Sequence, residues 1–218
     1  MTLKNSRFRC LLHASLALLL VLSVIGCAKV SPESSDPAHL DKPAATPSAK
    51  GDVKNRAVAV LAGGCFWGME EILRQVPGVL ETQVGYAGGS VPNPDYDAVS
   101  SGSSGHAEAV RIVYDQSVLS YRKLLSDWFF RMHDPTTKNR QGNDVGTQYR
   151  SVIFVTSPSE RQIAESVIQE IDRSGKLDAP IVTTIETAGP FTPAEDYHQD
   201  YLQKHPGGYT CHYLREWT

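Results

Sequence analysis

Cysteine is scarce, with four in 218 residues, too few to hold the chain together as a disulfide scaffold. Charge of neither sign dominates either. Against 24 Asp and Glu stand 21 Lys and Arg, a net charge of −3, so the basic surplus of a nucleic-acid binder is missing. No nucleic-acid partner is expected. The one long apolar run, residues 11–25, falls short of the roughly 20 residues that a spanning helix needs. No internal repeat occurs, which argues against solenoids and propellers. His133, His198, His205 and His212 show no metal-ligand spacing. We expect no metal and no bound cofactor. With 41% hydrophobic and 21% charged residues, the composition is that of one ordinary globular domain with a real core.

The apolar run is preceded by Lys4, Arg7 and Arg9, which gives it the layout of a secretory signal. It closes on Val24-Ile25-Gly26-Cys27, which resembles the lipobox of bacterial lipoproteins. That resemblance implies a signal peptide over 1–26 and a diacylglyceryl thioether on Cys27. Ala28 follows, not the Asp that favours inner-membrane retention. The expected location is therefore extracytoplasmic and lipid-anchored, on the periplasmic face of the outer membrane in a cell with two membranes. Residues 27–55 carry Pro32, Pro37, Pro43 and Pro47 among Ser, Ala and scattered charge. This reads as a flexible tether with a reach on the order of 30 Å.

The cysteines now sort themselves. On the lipobox reading, to which an uncleaved anchor or an ordinary signal is the alternative, Cys10 would leave with the signal and Cys27 would be blocked by lipid, leaving Cys65 and Cys211 as the free sulfurs of the mature chain. Outside the cytoplasm such a pair either bridges permanently or cycles.

The domain over 56–218 opens with a short apolar strand at 57–61, stopped by Gly63-Gly64. Phe66, Met69, Ile72, Leu73 and Val76 recur at helical spacing until Pro77-Gly78. A strand follows at 79–86, then a long Gly/Ser/Pro/Asn stretch at 88–105, whose length calls for a functional reason. A strand at 109–114 and a helix marked by Leu124, Leu125, Trp128, Phe129 and Met132 come next. After a polar loop at 133–146, residues 152–155 form a buried strand. Ser157-Pro158-Ser159-Glu160 starts a helix as a capping box, and Gly175 stops it. A β-branched strand at 181–185 precedes an irregular tail. Segment 197–212 is rich in His and Tyr, and a surface tail explains that as well as a metal site would. The order predicts an α+β, two-layer fold with helices on one side of a sheet, a ferredoxin-like split β-α-β core and an irregular C-terminal tail.

Gly64-Cys65-Phe66-Trp67-Gly68 sets a cysteine between a strand end and the first turn of a helix. Unpaired N–H groups and the helix dipole stabilise a thiolate there. The flanking glycines leave room for a substrate, beside an apolar wall of Phe66 and Trp67. On position alone, a reactive thiolate and a buried core cysteine fit equally well.

This segment resembles the signature of the A-type peptide methionine sulfoxide reductases. Four further blocks match that family in order: 85–89 (GYAGG), 105–110 (GHAEAV), 142–151 (GNDVGTQYRS) and 194–202 (AEDYHQDYL). The resemblance implies a thiol-dependent reductase of the S epimer of methionine sulfoxide in proteins and peptides, with free methionine sulfoxide a further candidate substrate. It implies that Cys65 attacks the sulfoxide sulfur and that Glu108 supplies the proton for the departing oxygen. Tyr86 and Tyr149 match the phenols that bind that oxygen, with Asp144 a further polar member of the site. Phe66 and Trp67 match the cage for the methyl group. Cys65 then becomes a sulfenic acid, and Cys211 is the residue that resolves it to a disulfide. Thr210 separates Cys211 from the Gly-Tyr pair, and no second recycling cysteine follows. The expected partners are oxidised proteins and an external thioredoxin-like dithiol donor, and the chain is expected to act as a monomer.

Other chemistries fit less well. His106-Ala107-Glu108 has the His-x-Glu of zinc deaminases without their Pro-Cys-x-x-Cys half. A cysteine hydrolase needs a His base aimed at Cys65, and none lies in the blocks flanking it. A thiol peroxidase would share the sulfenic acid but not discriminate sulfoxide epimers. A non-enzymatic lipoprotein would use Cys65–Cys211 as a fixed bridge, which should resist mild dithiols.

Overall fold

The computed structural model describes residues 53–217. Cys27, the signal segment 1–26 and most of the tether lie outside the described residues. The tether's last three residues, Val53–Asn55, form a 3-10 turn, and the Asn55 carbonyl accepts from the Gln116 N–H. No helix among the described residues is long and apolar enough to cross a membrane.

The central unit is β1 (Arg56–Gly63), α1 (Phe66–Leu73), β2 (Val79–Ala87) and, after α2 (Tyr96–Ser100), β3 (Ala107–Asp115). Both β1 and β2 pair antiparallel with β3, which lies between them. They therefore run parallel to each other with one strand intervening. This is the split β-α-β arrangement expected from the sequence. A helical stretch follows as α3 (Tyr121–Lys123), a π-helical turn (Leu124–Phe129) and α4 (Phe130–Met132). A two-strand hairpin, β4 (Arg140–Gln141) and β5 (Asp144–Val145), and a 3-10 turn (Thr147–Tyr149) lead into β6 (Ser151–Val155). Then come α5 (Pro158–Ser174), β7 (Thr184–Thr187), β8 (Thr192–Pro193) and α6 (Tyr201–Lys204). The main sheet is ordered β7-β6-β1-β3-β2-β8.

The helices share one face of this sheet. Phe66, Met69 and Leu73 of α1, Leu124 and Leu125 of the π turn, and Ala164 and Val167 of α5 pack with Leu61, Val110, Ile112 and Ile153. The opposite face presents Ala62, Ala107, Ala109, Val152 and Phe154, covered by Ala188 and Phe191 of an irregular segment. Alternation along β3 divides its residues between the faces, and it puts Glu108 on the helix side with Val110.

Three local expectations are met through visible chemistry. Ser157 accepts from the Glu160 N–H at 3.2 Å, Pro158 stands at the helix start, and Gly175 ends α5 at φ 68°. Others shift. The strand expected at 181–185 is observed at Thr184–Thr187, because Val152 pairs with Thr184. Ile181 and Val182 give their N–H groups to Asp172 and Pro135 instead. The 88–105 stretch contains α2, capped by Asp95 accepting from the Ala98 N–H at 2.9 Å. The second helix carries a π turn that leaves the Phe129 carbonyl to His133 Nδ1 at 2.7 Å.

Candidate active site

At the end of β1, Gly64 turns the chain at φ 108°, a conformation that a side chain resists. Cys65 then sits at the N-cap of α1, 7% exposed. The first N–H groups of α1 lack helical partners and are put to use here. Phe66 N–H donates to Glu108 Oε2 at 3.0 Å, and Trp67 N–H stabilises the Cys65 sulfur. Burial opposes it more strongly. Together with the Glu108 charge it drives the Cys65 thiol far above its usual range. Helix-end stabilisation is present, as expected from the sequence, but it does not win. Cys65 rests as a thiol.

Glu108 is 2% exposed. Burial pushes its carboxyl up to about 8, with the Asp144 charge adding to this and the Phe66 N–H opposing it. At neutral pH it keeps its proton, which removes its repulsion of a Cys65 thiolate. Acid and nucleophile are coupled through one charge.

Two phenols surround this pair. The Tyr149 and Tyr96 hydroxyls are both raised by burial and then by the charge of Glu108, and both also feel that of Cys65. Tyr86, which pairs with Glu108 across the sheet, also feels its charge. Its hydroxyl donates to Glu195 Oε2 at 2.7 Å, while Glu195 Oε1 accepts from the Tyr96 N–H at 2.9 Å. Tyr86 thereby also holds Glu195, and through it the start of α2. The sequence reading missed Tyr96, although Asp95-Tyr96-Asp97 carries an N-cap signal that could have flagged an ordered turn.

The apolar wall is built by the tail. Trp67 stacks on Tyr201 at a ring separation of 3.7 Å and donates its Nε1–H to His198 Nδ1 at 3.1 Å. His198 also packs against Phe66 and Tyr96, at 5.1 and 4.6 Å. Tyr201 is held in place because Asp200 binds α1: its N–H donates to Glu70 Oε2 at 3.0 Å and its carboxylate pairs with Arg74 at 2.8 Å. Gln199 pairs its amide with both backbone groups of Val84 on β2. Segment 197–212 is exposed at Tyr197, His205 and Tyr209, as its composition suggested, but His198 and His212 are buried.

Cys211 completes the cluster. Both it and Cys65 are free thiols. The Cys211 thiol is raised to about 12, by burial and then by Asp144, and is eased by the Cys65 backbone N–H. Asp144 Oδ1 accepts from the Tyr209 hydroxyl at 3.1 Å, and the same carboxylate accepts from the Cys211 thiol. The glycines flanking Cys65 admit the tail and β4 closely rather than leaving open space. A Cβ at Gly68 would stand 2.3 Å from Thr210 Oγ1, and one at Gly64 would stand 2.5 Å from Gln141 Cγ. The structure thus gathers Cys65, Glu108, Tyr86, Tyr149, Asp144, Cys211, Phe66 and Trp67. Among the described residues, no three His, Cys, Asp or Glu are grouped to hold a metal ion.

Comparison with known proteins agrees with this geometry. The family described as peptide methionine sulfoxide reductase matches residues 57–217. This chain belongs to the peptide methionine sulfoxide reductase family. It is 52% identical over 161 residues to a peptide methionine sulfoxide reductase MsrA of Mycolicibacterium paratuberculosis, covering 74% of this chain and 91% of the relative. Among solved structures, reduced Mxr1 from Saccharomyces cerevisiae superposes with a TM-score of 0.70 at 38% identity, over 77% of this chain and 96% of Mxr1. Mxr1 in complex with Trx2 aligns at 28% identity with a TM-score of 0.51, over 78% and 96% of the two chains. The chain is a thiol-dependent oxidoreductase of this family, with the α+β fold of its reductases.

Proposed function

We propose that this reductase acts on the S epimer of methionine sulfoxide in oxidised proteins and peptides, and on free methionine sulfoxide, as a repair enzyme. The observation that carries the reading is the buried, proton-bearing Glu108 tied to the residue that follows Cys65. The Cys65 sulfur attacks the sulfoxide sulfur, while Glu108 protonates the oxygen and recovers the thiol's proton. The S–O bond to the substrate breaks, a new S–O bond forms on Cys65, and methionine leaves. No net proton is consumed. Tyr96 and Tyr149 orient the oxygen, and Phe66, Trp67 and His198 hold the methyl group. Oxygen donors on one side and an apolar wall on the other distinguish the two arrangements around a chiral sulfur. Turnover of each epimer separately, with dithiothreitol, tests this: equal rates would overturn it.

Cys211 then attacks the Cys65 sulfenic acid, releasing water and forming a disulfide. Its neighbourhood to Cys65 supports this role. A thioredoxin-like protein reduces the disulfide by exchange. The Mxr1–Trx2 complex supports that class of donor. The lipid on Cys27 and the tether hold the catalytic domain outside the cytoplasm, against the outer membrane in a cell with two membranes. If a Cys27→Ala chain still fractionated with membranes, the anchor would have to be something else.

A further inference from the structure

His212 follows the resolving cysteine directly, is 7% exposed, and takes no part in the chemistry described so far. Its Nε2 lies 2.9 Å from the carbonyl oxygen of Gly63. A carbonyl only accepts, so Nε2 carries the ring hydrogen and donates it. Burial lowers the imidazole to about 4, so at neutral pH it holds one hydrogen and Nδ1 is a bare lone pair. That lone pair faces Cys211 Sγ at 3.4 Å. The seat is specific to the ring: a Cβ at Gly68 would stand 2.7 Å from Nδ1, and one at Gly64 3.1 Å from Cε1. The His212 N–H is itself held by Thr210 Oγ1 at 3.1 Å.

We propose that His212 accepts the Cys211 proton through Nδ1 as that thiol closes on the Cys65 sulfenic acid. The proposal rests on the resolving role of Cys211. The Cys211 S–H bond breaks and its sulfur bonds to Cys65. The Cys65 S–O bond breaks, and the departing hydroxide takes the proton back from Nδ1–H as water. Asp144 also accepts a hydrogen bond from the Cys211 thiol, and that contact together with its charge holds the thiol protonated at rest, so the proton must turn to Nδ1 as the sulfur attacks. The same charge favours a proton on His212, against the opposing Arg215. Imidazolium formed there would lie beside both the developing thiolate and Asp144. One base thus relieves two negative groups.

The test is single-turnover quenching of the full chain with one equivalent of methionine-S-sulfoxide. Methionine, trapped sulfenic acid and Cys65–Cys211 disulfide are measured together. In His212→Gln, whose amide can still donate to Gly63, the disulfide-forming rate should fall about a hundredfold relative to the methionine-forming rate. In His212→Asn the amide oxygen can hydrogen-bond near the Nδ1 position but cannot take a proton. There the same relative fall is expected. An unchanged ratio in His212→Gln, a ratio restored in His212→Asn, or an equal fall of both steps would each overturn the proposal. If the wild-type chain formed no Cys65–Cys211 disulfide, the resolving role of Cys211 would fail first and the proposal with it.

Discussion

The Phe66 N–H donates to Glu108 Oε2 at 3.0 Å, so the residue after the nucleophile holds the acid in place. Position and protonation are joined in that contact. The N–H favours the charged carboxylate, yet burial leaves Glu108 near 8.

Removing the acid should therefore change both rate and pH profile. Glu108→Gln is expected to lower kcat/KM for a sulfoxide peptide by about 10²–10⁴-fold, the usual scale of general acid catalysis. Wild-type activity should decline as pH rises through about 8, where Glu108 loses its proton. The residual activity of the variant should lack that inflection.

The same carboxyl makes stability depend on pH. Its folded value lies above the ordinary 4.5, so between 4.5 and 8 the native state binds more protons than the unfolded state. Its contribution is complete below the ordinary value and is lost as pH rises through about 8. Urea unfolding at pH 5 and pH 9 should show a larger loss for wild type than for Glu108→Gln.

The phenols should divide by role. Tyr96→Phe and Tyr149→Phe should each reduce kcat/KM by about 10²-fold, with little change in unfolding midpoint. Tyr86→Phe strips the Glu195 carboxylate of its 2.7 Å donor. It should cost about 1–3 kcal/mol of stability and less in kcat. Paired kinetics and urea melts separate the two patterns.

Gly68→Ala drives a methyl group towards Thr210 and His212. Overpacking of this kind costs typically about 1–3 kcal/mol. Displacing the tail should also slow disulfide formation relative to methionine release, read by quenching a single turnover.

Much of the site was legible because it is locally encoded. The helix-start cysteine, the Glu108 strand and the block carrying Asp144 and Tyr149 are contiguous motifs, and the capping box around Ser157 is chemistry within four residues. The unread parts depend on partners far along the chain. Tyr86 and Tyr96 are both tyrosines in or beside a glycine-rich block. What separates them is Glu195, about a hundred residues later. His198 and His212 look like tail residues until Trp67 and Gly63 bury them. β7 begins at Thr184, later than its composition suggests, because β-branched residues mark strand tendency whereas pairing with β6 sets the register.

Cys211→Ser should complete one turnover and stop at the Cys65 sulfenic acid when only a protein dithiol donor is supplied. A small thiol should restore cycling, because it can resolve the intermediate itself. Sustained turnover of the variant with the protein donor alone would remove Cys211 from the cycle.

The most direct measurement of the central claim is dithiothreitol-supported turnover of a peptide carrying each sulfoxide epimer separately, in wild type and in Cys65→Ser. Reduction of the S epimer alone, abolished by the substitution, is the expected result. Equal reduction of both epimers, or activity that survives without the Cys65 sulfur, would contradict it.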